Sequence, residues 1–103
     1  MDQLTEAEAA HLALALVAVA TASVDGGADA RSESDAGLVE LVQDMCDVPL
    51  TERQASVVET LGAASAALTA GLSGALATTQ GRDVHVVLRM AARAVMDNHP
   101  DAA

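Results

Sequence analysis

The sequence predicts an all-α protein, a bundle of about four helices that forms a single domain over residues 1–103. Hydrophobic residues make up 51% of the chain, but it has no Phe, Tyr or Trp, so alanine, leucine and valine must form the core. Alanine has the highest intrinsic helix propensity of all residues. Apolar residues also recur at helical spacing, and no segment alternates between apolar and polar residues as a half-buried strand would.

Helix 1 is expected over residues 6–24. Thr5 and Glu8 have the spacing of a capping box, in which each residue satisfies a free N–H of the first turn. Apolar residues on every side of the segment indicate a central helix. Gly26 predicts its end, and the polar segment 28–34 that follows is interpreted as a loop.

Helix 2 is expected over residues 36–47, with Asp35 as its N-cap. Pro49 predicts the end of helix 2, because the residue before a proline is disfavoured in the helical conformation. Four apolar residues form the side that would face the core, namely Leu38, Leu41, Val42 and Met45.

Helix 3 is expected over residues 52–79, after a second capping box formed by Thr51 and Gln54. A continuous helix of that length would extend about 42 Å, which is more than the width of a small domain, about 30 Å. The sequence therefore predicts either a break near Gly71–Gly74 or an end that projects and packs on another chain.

Helix 4 is expected over residues 84–98, with Asp83 as its N-cap. Basic residues lie along one side of it, at spacings that place them on a single helical face. They are interpreted either as a docking stripe for an anion or a partner, or as a balance for acidic groups of this chain or a neighbour. The four residues are Arg82, His85, Arg89 and Arg93.

The charge of the chain is strongly negative and unevenly distributed. The formal net charge is −10, and all five basic Lys or Arg residues are arginines. Residues 1–50 carry ten acidic groups and one arginine, whereas residues 51–103 carry five acidic groups and four arginines. Nucleic acids and anionic membranes both attract clustered basic residues, so we expect neither as a partner.

No catalytic or metal-binding motif is visible in the sequence. The histidines and the single cysteine, Cys46, form none of the spacings that hold zinc or activate a nucleophile. We therefore expect no enzymatic activity and no cofactor, and we interpret Cys46 as a buried structural residue. A chain with one cysteine and no internal disulfide fits a reducing, cytoplasmic location.

Residues 60–81 contain no charged side chain. Their number would permit a membrane span, but alanine, glycine, serine and threonine dominate them, and such a composition inserts poorly. Small residues recur there every fourth position, which allows two helices to approach closely. This helix-contact stripe would pack either within the chain or across a homodimer, and it comprises Gly62, Ala66, Ala70 and Gly74.

Acidic residues are concentrated between positions 25 and 35. Carboxylate oxygens are the ligands that Ca²⁺ and Mg²⁺ prefer, so Asp25, Asp29 and Glu33 are candidate ligands for a divalent cation. The alternative is a solvated loop between helices whose carboxylates cap the next helix.

The same segment resembles the TerB-like tellurite-resistance family. Ala22-Ser23-Val24-Asp25-Gly26 is similar to the turn that follows the first long helix of that family, and Glu33 to a later acidic residue. The resemblance covers residues 7–60. It implies an all-α, acidic, stress-linked module with a metal-binding surface.

These observations favour a small, soluble, acidic interaction module without catalytic activity. Its expected partner is a second copy of itself, as a homodimer, or another helical protein. Two alternatives remain open. One is a metal-responsive module of the TerB-like type, and the other is a carrier of a small apolar ligand held between alanine-lined helices.

Overall fold

The structure is a computed structural model that describes residues 3–98. These residues form four helices, and the predicted all-α fold is therefore confirmed. The helices are α1 (Glu6–Asp25), α2 (Ala28–Asp44), α3 (Glu52–Gln80) and α4 (Val84–Asn98).

Both ends of α1 follow from local chemistry. At its start, the hydroxyl of Thr5 accepts a hydrogen bond from the Glu8 N–H at 3.1 Å. The Glu8 carboxylate in turn accepts one from the Thr5 N–H at 2.9 Å, so the predicted capping box is present. At its end, Gly26 adopts a left-handed conformation with φ of 89°, which glycine reaches at little cost.

The prediction for helix 2 was wrong at both ends. α2 begins at Ala28 and ends at Asp44, so residues 28–34 are helical and Asp35 lies inside the helix. Gly27 is its N-cap, without a side-chain hydrogen bond. The first turns of α2 are exposed on all sides, which explains their polarity. Alanine, arginine and glutamate favour a helix in this segment. Hydrophobic spacing could not reveal this part of the helix, because it has no buried side.

The third helix is continuous. α3 runs for 29 residues from Glu52 to Gln80 without a break at Gly71–Gly74. At about 1.5 Å per residue it extends about 43 Å, close to the longest dimension of the molecule, 46 Å. The capping box of Thr51 and Gln54 begins it as predicted, and Gly81 ends it with φ of 64°. A glycine inside a helix costs only about 1 kcal/mol relative to alanine, too little to break α3.

The fourth helix has the predicted boundaries, Val84–Asn98. The carboxylate of Asp83 accepts a hydrogen bond from the N–H of His85 at 2.8 Å. This is the bond that an N-cap side chain makes with the first turn of a helix. The predicted role of Asp83 is therefore confirmed.

The helices form a thin slab. α1 and α3 pack against each other, and both contact α2 and α4. Within the described residues, α2 and α4 do not contact each other, so they lie on opposite flanks of the α1–α3 pair. The dimensions of 46 × 33 × 16 Å reflect this arrangement. α1 is central as expected, but only its Ala10, Val19 and Ala20 are buried, because one of its sides is left uncovered.

The core is small. Its central cluster joins α1, α3 and α4 through four buried side chains. Leu88 is the largest side chain that is fully buried. Alanine buries little apolar area, so each helix contributes modestly to stability at about 25 cal/mol per Å². The cluster comprises Val19, Ala20, Ala66 and Leu88, with Val24, Ala70 and Val84 packed against it.

Candidate interaction surface

One side of α3 carries large apolar side chains that the rest of the chain leaves uncovered. Leu61, Leu68 and Leu72 are 62%, 67% and 71% exposed. Their neighbours on the same side are nearly half exposed. Steps of four, seven, four and four residues keep all of them on one helical face. We call this surface the α3 leucine face, and it comprises Val57, Leu61, Leu68, Leu72 and Leu76.

The α3 leucine face continues onto α4. Leu72 and Leu76 share a groove with Met90, which is itself exposed, and with the buried Val87. At the other end, Arg53 adjoins Val57 and Leu61. Contiguous apolar surface of this kind is typical of a site that contacts another molecule.

The helix-contact stripe lies on a different side of α3. Gly62 and Ala66 are buried, and Ala70 packs against the core cluster. A Cβ atom at Gly62 would overlap Cδ2 of Leu38, so the absence of a side chain there lets α2 approach α3. Gly74 is half-buried, with open space where its Cβ would lie. Internal packing therefore accounts for the first three positions of the stripe.

His85 is held between two carboxylates from different parts of the chain. Its Nε2 lies 2.5 Å from Oδ1 of Asp25 at the end of α1. Its Nδ1 lies 2.8 Å from Oδ1 of Asp83, the N-cap of α4. The imidazole therefore connects α1 to α4, and a doubly protonated ring can donate to both carboxylates at once.

The surroundings of His85 favour its charged form. The hydrogen bond with Asp25, followed by the hydrogen bond with Asp83, raises the pKa of His85 above its usual value. The backbone N–H of His85, followed by its side chain, lowers the pKa of Asp83. All three side chains are substantially exposed, with His85 itself 42% accessible, so solvent screens the interaction.

The other members of the predicted docking stripe have separate environments. Nη1 of Arg82 lies 3.4 Å from the sulfur of Met90. Nε of Arg93 lies 4.0 Å from the carboxylate of Asp97, one turn further along α4. Arg89 is exposed beside the groove that also contains His85. Within the described residues, His85 reaches the acidic N-terminal half through its contact with Asp25.

The acidic residues predicted as metal ligands are not in an interhelix loop. Asp29 and Glu33 both lie within α2, whereas Asp25 is the last residue of α1. Asp25 is instead bonded to His85. In the part of the chain that the structure describes, no three His, Cys, Asp or Glu side chains are grouped to hold a metal ion. The loop on which the metal hypothesis depended was therefore predicted wrongly.

Two further features bear on ligand binding and reactivity. An open groove of about 430 Å³ lies where α1, α2 and α3 meet, with Val19 and Ala66 among its lining residues and Arg31 and Asp35 beside them. The carrier hypothesis stays a prediction. The expectation that Cys46 is buried was wrong: it is exposed, because α2 ends at Asp44 and leaves it in the following turn.

By length and composition, α1 and α3 are each apolar enough to cross a membrane. Core helices of soluble proteins and signal sequences meet the same criterion, so it is weak support for a membrane role. Only 17% of the apolar segment of α1 and 22% of that of α3 are buried within the bundle. Most of the other residues of α1 are half-buried, whereas α3 exposes several leucines that are available to another molecule.

Comparison with known proteins places the chain in no family. No protein-family model matches it, and neither the curated proteins nor the solved structures include a significant match. The resemblance to the TerB-like family therefore stays a prediction.

Two features were not recognised from the sequence. The contact between Asp25 and His85 joins residues sixty positions apart, and no local pattern reports it. The α3 leucine face did leave a signal. Within residues 60–81, the only large apolar side chains are leucines on one side of the helix, whereas the small stripe follows another side. An uncharged helix with two such sides has more apolar surface than one core can cover.

Proposed function

We propose that this protein is a small cytoplasmic interaction module without catalytic activity that self-associates as a homodimer. The observation that carries the proposal is the exposure of the α3 leucine face. Five large apolar side chains lie in contact with water along one helix. Covering them with a second copy removes this surface from water, which is the main driving force for association.

The chain exposes more surface than a compact monomer of the same mass. Its accessible area is 6854 Å², whereas a compact monomer of 10.4 kDa exposes about 5,400 Å². The excess of roughly 1,400 Å² accompanies the thin shape of the molecule, 46 × 33 × 16 Å. A single chain thus has surface to lose on association.

The charge distribution favours a second copy on this face. With a net charge of −10, two copies repel one another in most orientations. Residues 60–81 of α3 contain no charge, and residues 51–103 are nearly balanced between acids and arginines. Two copies that meet through α3 therefore keep their acidic halves apart.

A membrane is a less suitable partner for the same surface. A helix surrounded by lipid is apolar on all sides. In α3, the small residues instead face neighbouring helices of the same chain. The acidic chain would also be repelled by an anionic membrane surface. We therefore propose a protein partner and not a lipid bilayer.

The oligomeric state of the full chain tests the proposal. Native mass spectrometry and sedimentation equilibrium should detect a dimer. The double substitution Leu68→Gln and Leu72→Gln should weaken it at least tenfold, because about 1.4 kcal/mol of lost burial corresponds to a factor of ten in Kd. Val48→Gln is the matched control, because Val48 is 70% exposed but lies outside α3.

The possible outcomes separate the alternatives. A dimer that weakens only in the α3 variant supports the proposal. A wild-type chain that remains monomeric at high concentration would contradict it, and so would equal weakening by Val48→Gln. A monomer that floats with neutral phosphatidylcholine vesicles would contradict the proposal and indicate that the α3 leucine face binds a membrane.

A further inference from the structure

We infer that two copies of this chain associate through the α3 leucine face with their α3 helices antiparallel, related by a two-fold axis that passes between Ala66 and Ala67. This inference depends on the proposed self-association and specifies its geometry. In this register, Leu61 of each copy contacts Leu72 of the other, and Val57 contacts Leu76.

The spacing of the exposed side chains is symmetric about that point. Leu61 and Leu72 lie equally far before and after the midpoint between residues 66 and 67, as do Val57 and Leu76. A two-fold interface requires a surface that is complementary to itself, in which residue i contacts j and j contacts i. The α3 leucine face meets this requirement when it is read in opposite directions on the two copies.

The middle of the face also fits an antiparallel pair. Leu68 lies as far after the midpoint as Ser65 lies before it, so each exposed Leu68 meets the smaller Ser65 of the other copy. A large side chain then packs into the space beside a small one. In a parallel pair, Leu68 would meet Leu68 and Ser65 would meet Ser65, which would leave a gap at the two small side chains.

Electrostatics favour the same direction. An antiparallel pair places the positive N-terminal end of each α3 beside the negative C-terminal end of the other. A parallel pair would place like ends together and bring Arg53 of one copy beside Arg53 of the other. Arg53 adjoins Val57 and Leu61 on this face, so the repulsion would fall within the contact.

Single cysteines on the α3 leucine face test the register. The background is Cys46→Ser, because the native thiol is exposed. In the proposed dimer, two copies of Leu61→Cys are separated by about 16 Å along the helix axes, whereas Leu61→Cys lies level with Leu72→Cys. A short thiol cross-linker should therefore join Leu61→Cys to Leu72→Cys in a mixture, but not Leu61→Cys to itself. Isotopic labelling of one variant identifies the mixed product by intact mass.

Two single variants complete the experiment. Leu68→Cys should cross-link to itself, because its two copies are offset by only about 4.5 Å across the axis. Val48→Cys is equally exposed but lies outside α3, so it should not react with itself. All of the substituted positions are exposed, and circular dichroism at 222 nm verifies that each variant remains helical.

The outcomes distinguish the geometry from the association itself. Mixed cross-linking of Leu61→Cys with Leu72→Cys, without self-linking of Leu61→Cys, supports the antiparallel register. Self-linking of Leu61→Cys in a chain that is dimeric by native mass spectrometry would overturn the register and leave the proposed function intact. A dimer without any α3 cross-link would overturn both the register and this surface. A monomer would overturn the proposed function as well.

Discussion

The Nε2 atom of His85 lies 2.5 Å from Oδ1 of Asp25, and this contact connects the C-terminal end of α1 to the first turn of α4. The other ring nitrogen contacts Asp83, whose carboxylate also caps α4. The imidazole of His85 therefore connects the end of α1 to the N-cap of α4 and contributes to the packing of these two helices. Its protonation state should affect how firmly α4 is held against α1.

Stability should depend on pH through His85. Its pKa is raised in the folded chain, chiefly by Asp25 and then by Asp83. The group therefore contributes stability that is complete below its unfolded pKa, about 6.5, and that is lost as the pH rises through the higher folded value. We expect His85→Gln to lower the Tm more at about pH 5.5 than at a pH well above the raised folded pKa of His85.

Thermal unfolding measured by circular dichroism at 222 nm checks this prediction, and the chain offers no aromatic signal for other optical methods. His11→Gln is the control, because His11 is an exposed histidine of α1 outside this cluster. The pH dependence that Asp83 contributes has the opposite sign. Because the pKa of Asp83 is lowered, its contribution to stability is lost only in strong acid. An equal loss of Tm at both pH values would show that the His85 effect does not involve its charge.

The two outer glycines of the helix-contact stripe should respond differently to alanine. At Gly74 the position of a Cβ is open, so Gly74→Ala should stabilise the chain by about 0.5–1 kcal/mol through helix propensity. At Gly62 the new methyl group would overlap Leu38, which is buried. Gly62→Ala should therefore destabilise the chain, because overpacking costs about 1–3 kcal/mol and propensity offsets only part of it. Urea unfolding at 222 nm measures both changes.

A double substitution isolates the contact between α2 and α3. In a Leu38→Ala background the space beside Gly62 is free, so Gly62→Ala should become stabilising there. Residues in contact are expected to show such coupling, whereas Gly74→Ala should have the same effect in both backgrounds. If Gly62→Ala has the same effect with and without Leu38, the close approach of the two helices at this point is wrong.

The start of α3 depends on its capping box. Thr51→Ala removes the hydroxyl that accepts a hydrogen bond from the Gln54 N–H, and we expect a loss of about 1 kcal/mol in the free energy of unfolding. Ser56→Ala, one turn further along α3 and exposed, serves as the control and should cause no loss, since alanine is the better helix former. A neutral Thr51→Ala variant would mean that tertiary packing alone determines where α3 begins.

Salt should strengthen the proposed dimer. The copies repel through a net charge of −10 each, and the Debye length falls from about 30 Å at 0.01 M to about 3 Å at 1 M ionic strength. The Kd from sedimentation equilibrium should therefore decrease as sodium chloride is added. An interface in which the α4 arginines bind the acidic half of a neighbour would weaken instead, because its ion pairs would be screened. The sign of the salt effect thus decides between the two surfaces.

Features encoded by a few neighbouring residues were predictable from the sequence. The capping boxes at Thr5 and Thr51 and the left-handed glycines at Gly26 and Gly81 define helix ends through local hydrogen bonds and φ angles. Hydrophobic spacing failed at the start of α2, because its first turns face solvent and have no buried side to reveal a period. Propensity alone would have extended that helix, since only Gly26 and Gly27 separate it from α1.

The surface features required knowledge of how the helices pack. The small stripe around Gly62 was visible as a pattern, but its internal position follows from the approach of Leu38 on α2. Once that side of α3 is directed inward, the leucines at 61, 68 and 72 are left facing water. Similarly, Asp25 and His85 were assigned to different predicted sites, and only the packing of α1 against α4 brings them together.

Ten acidic groups lie in the first fifty residues of the chain, and most of the described ones are exposed on α1 and α2. In a dimer joined through α3, the self-complementary α3 leucine face of each copy is already covered by the other copy. The outside of such a particle is dominated by negative charge, which opposes the addition of a third copy. Assembly would therefore close at two chains, and concentrated solutions would remain dispersed without filaments.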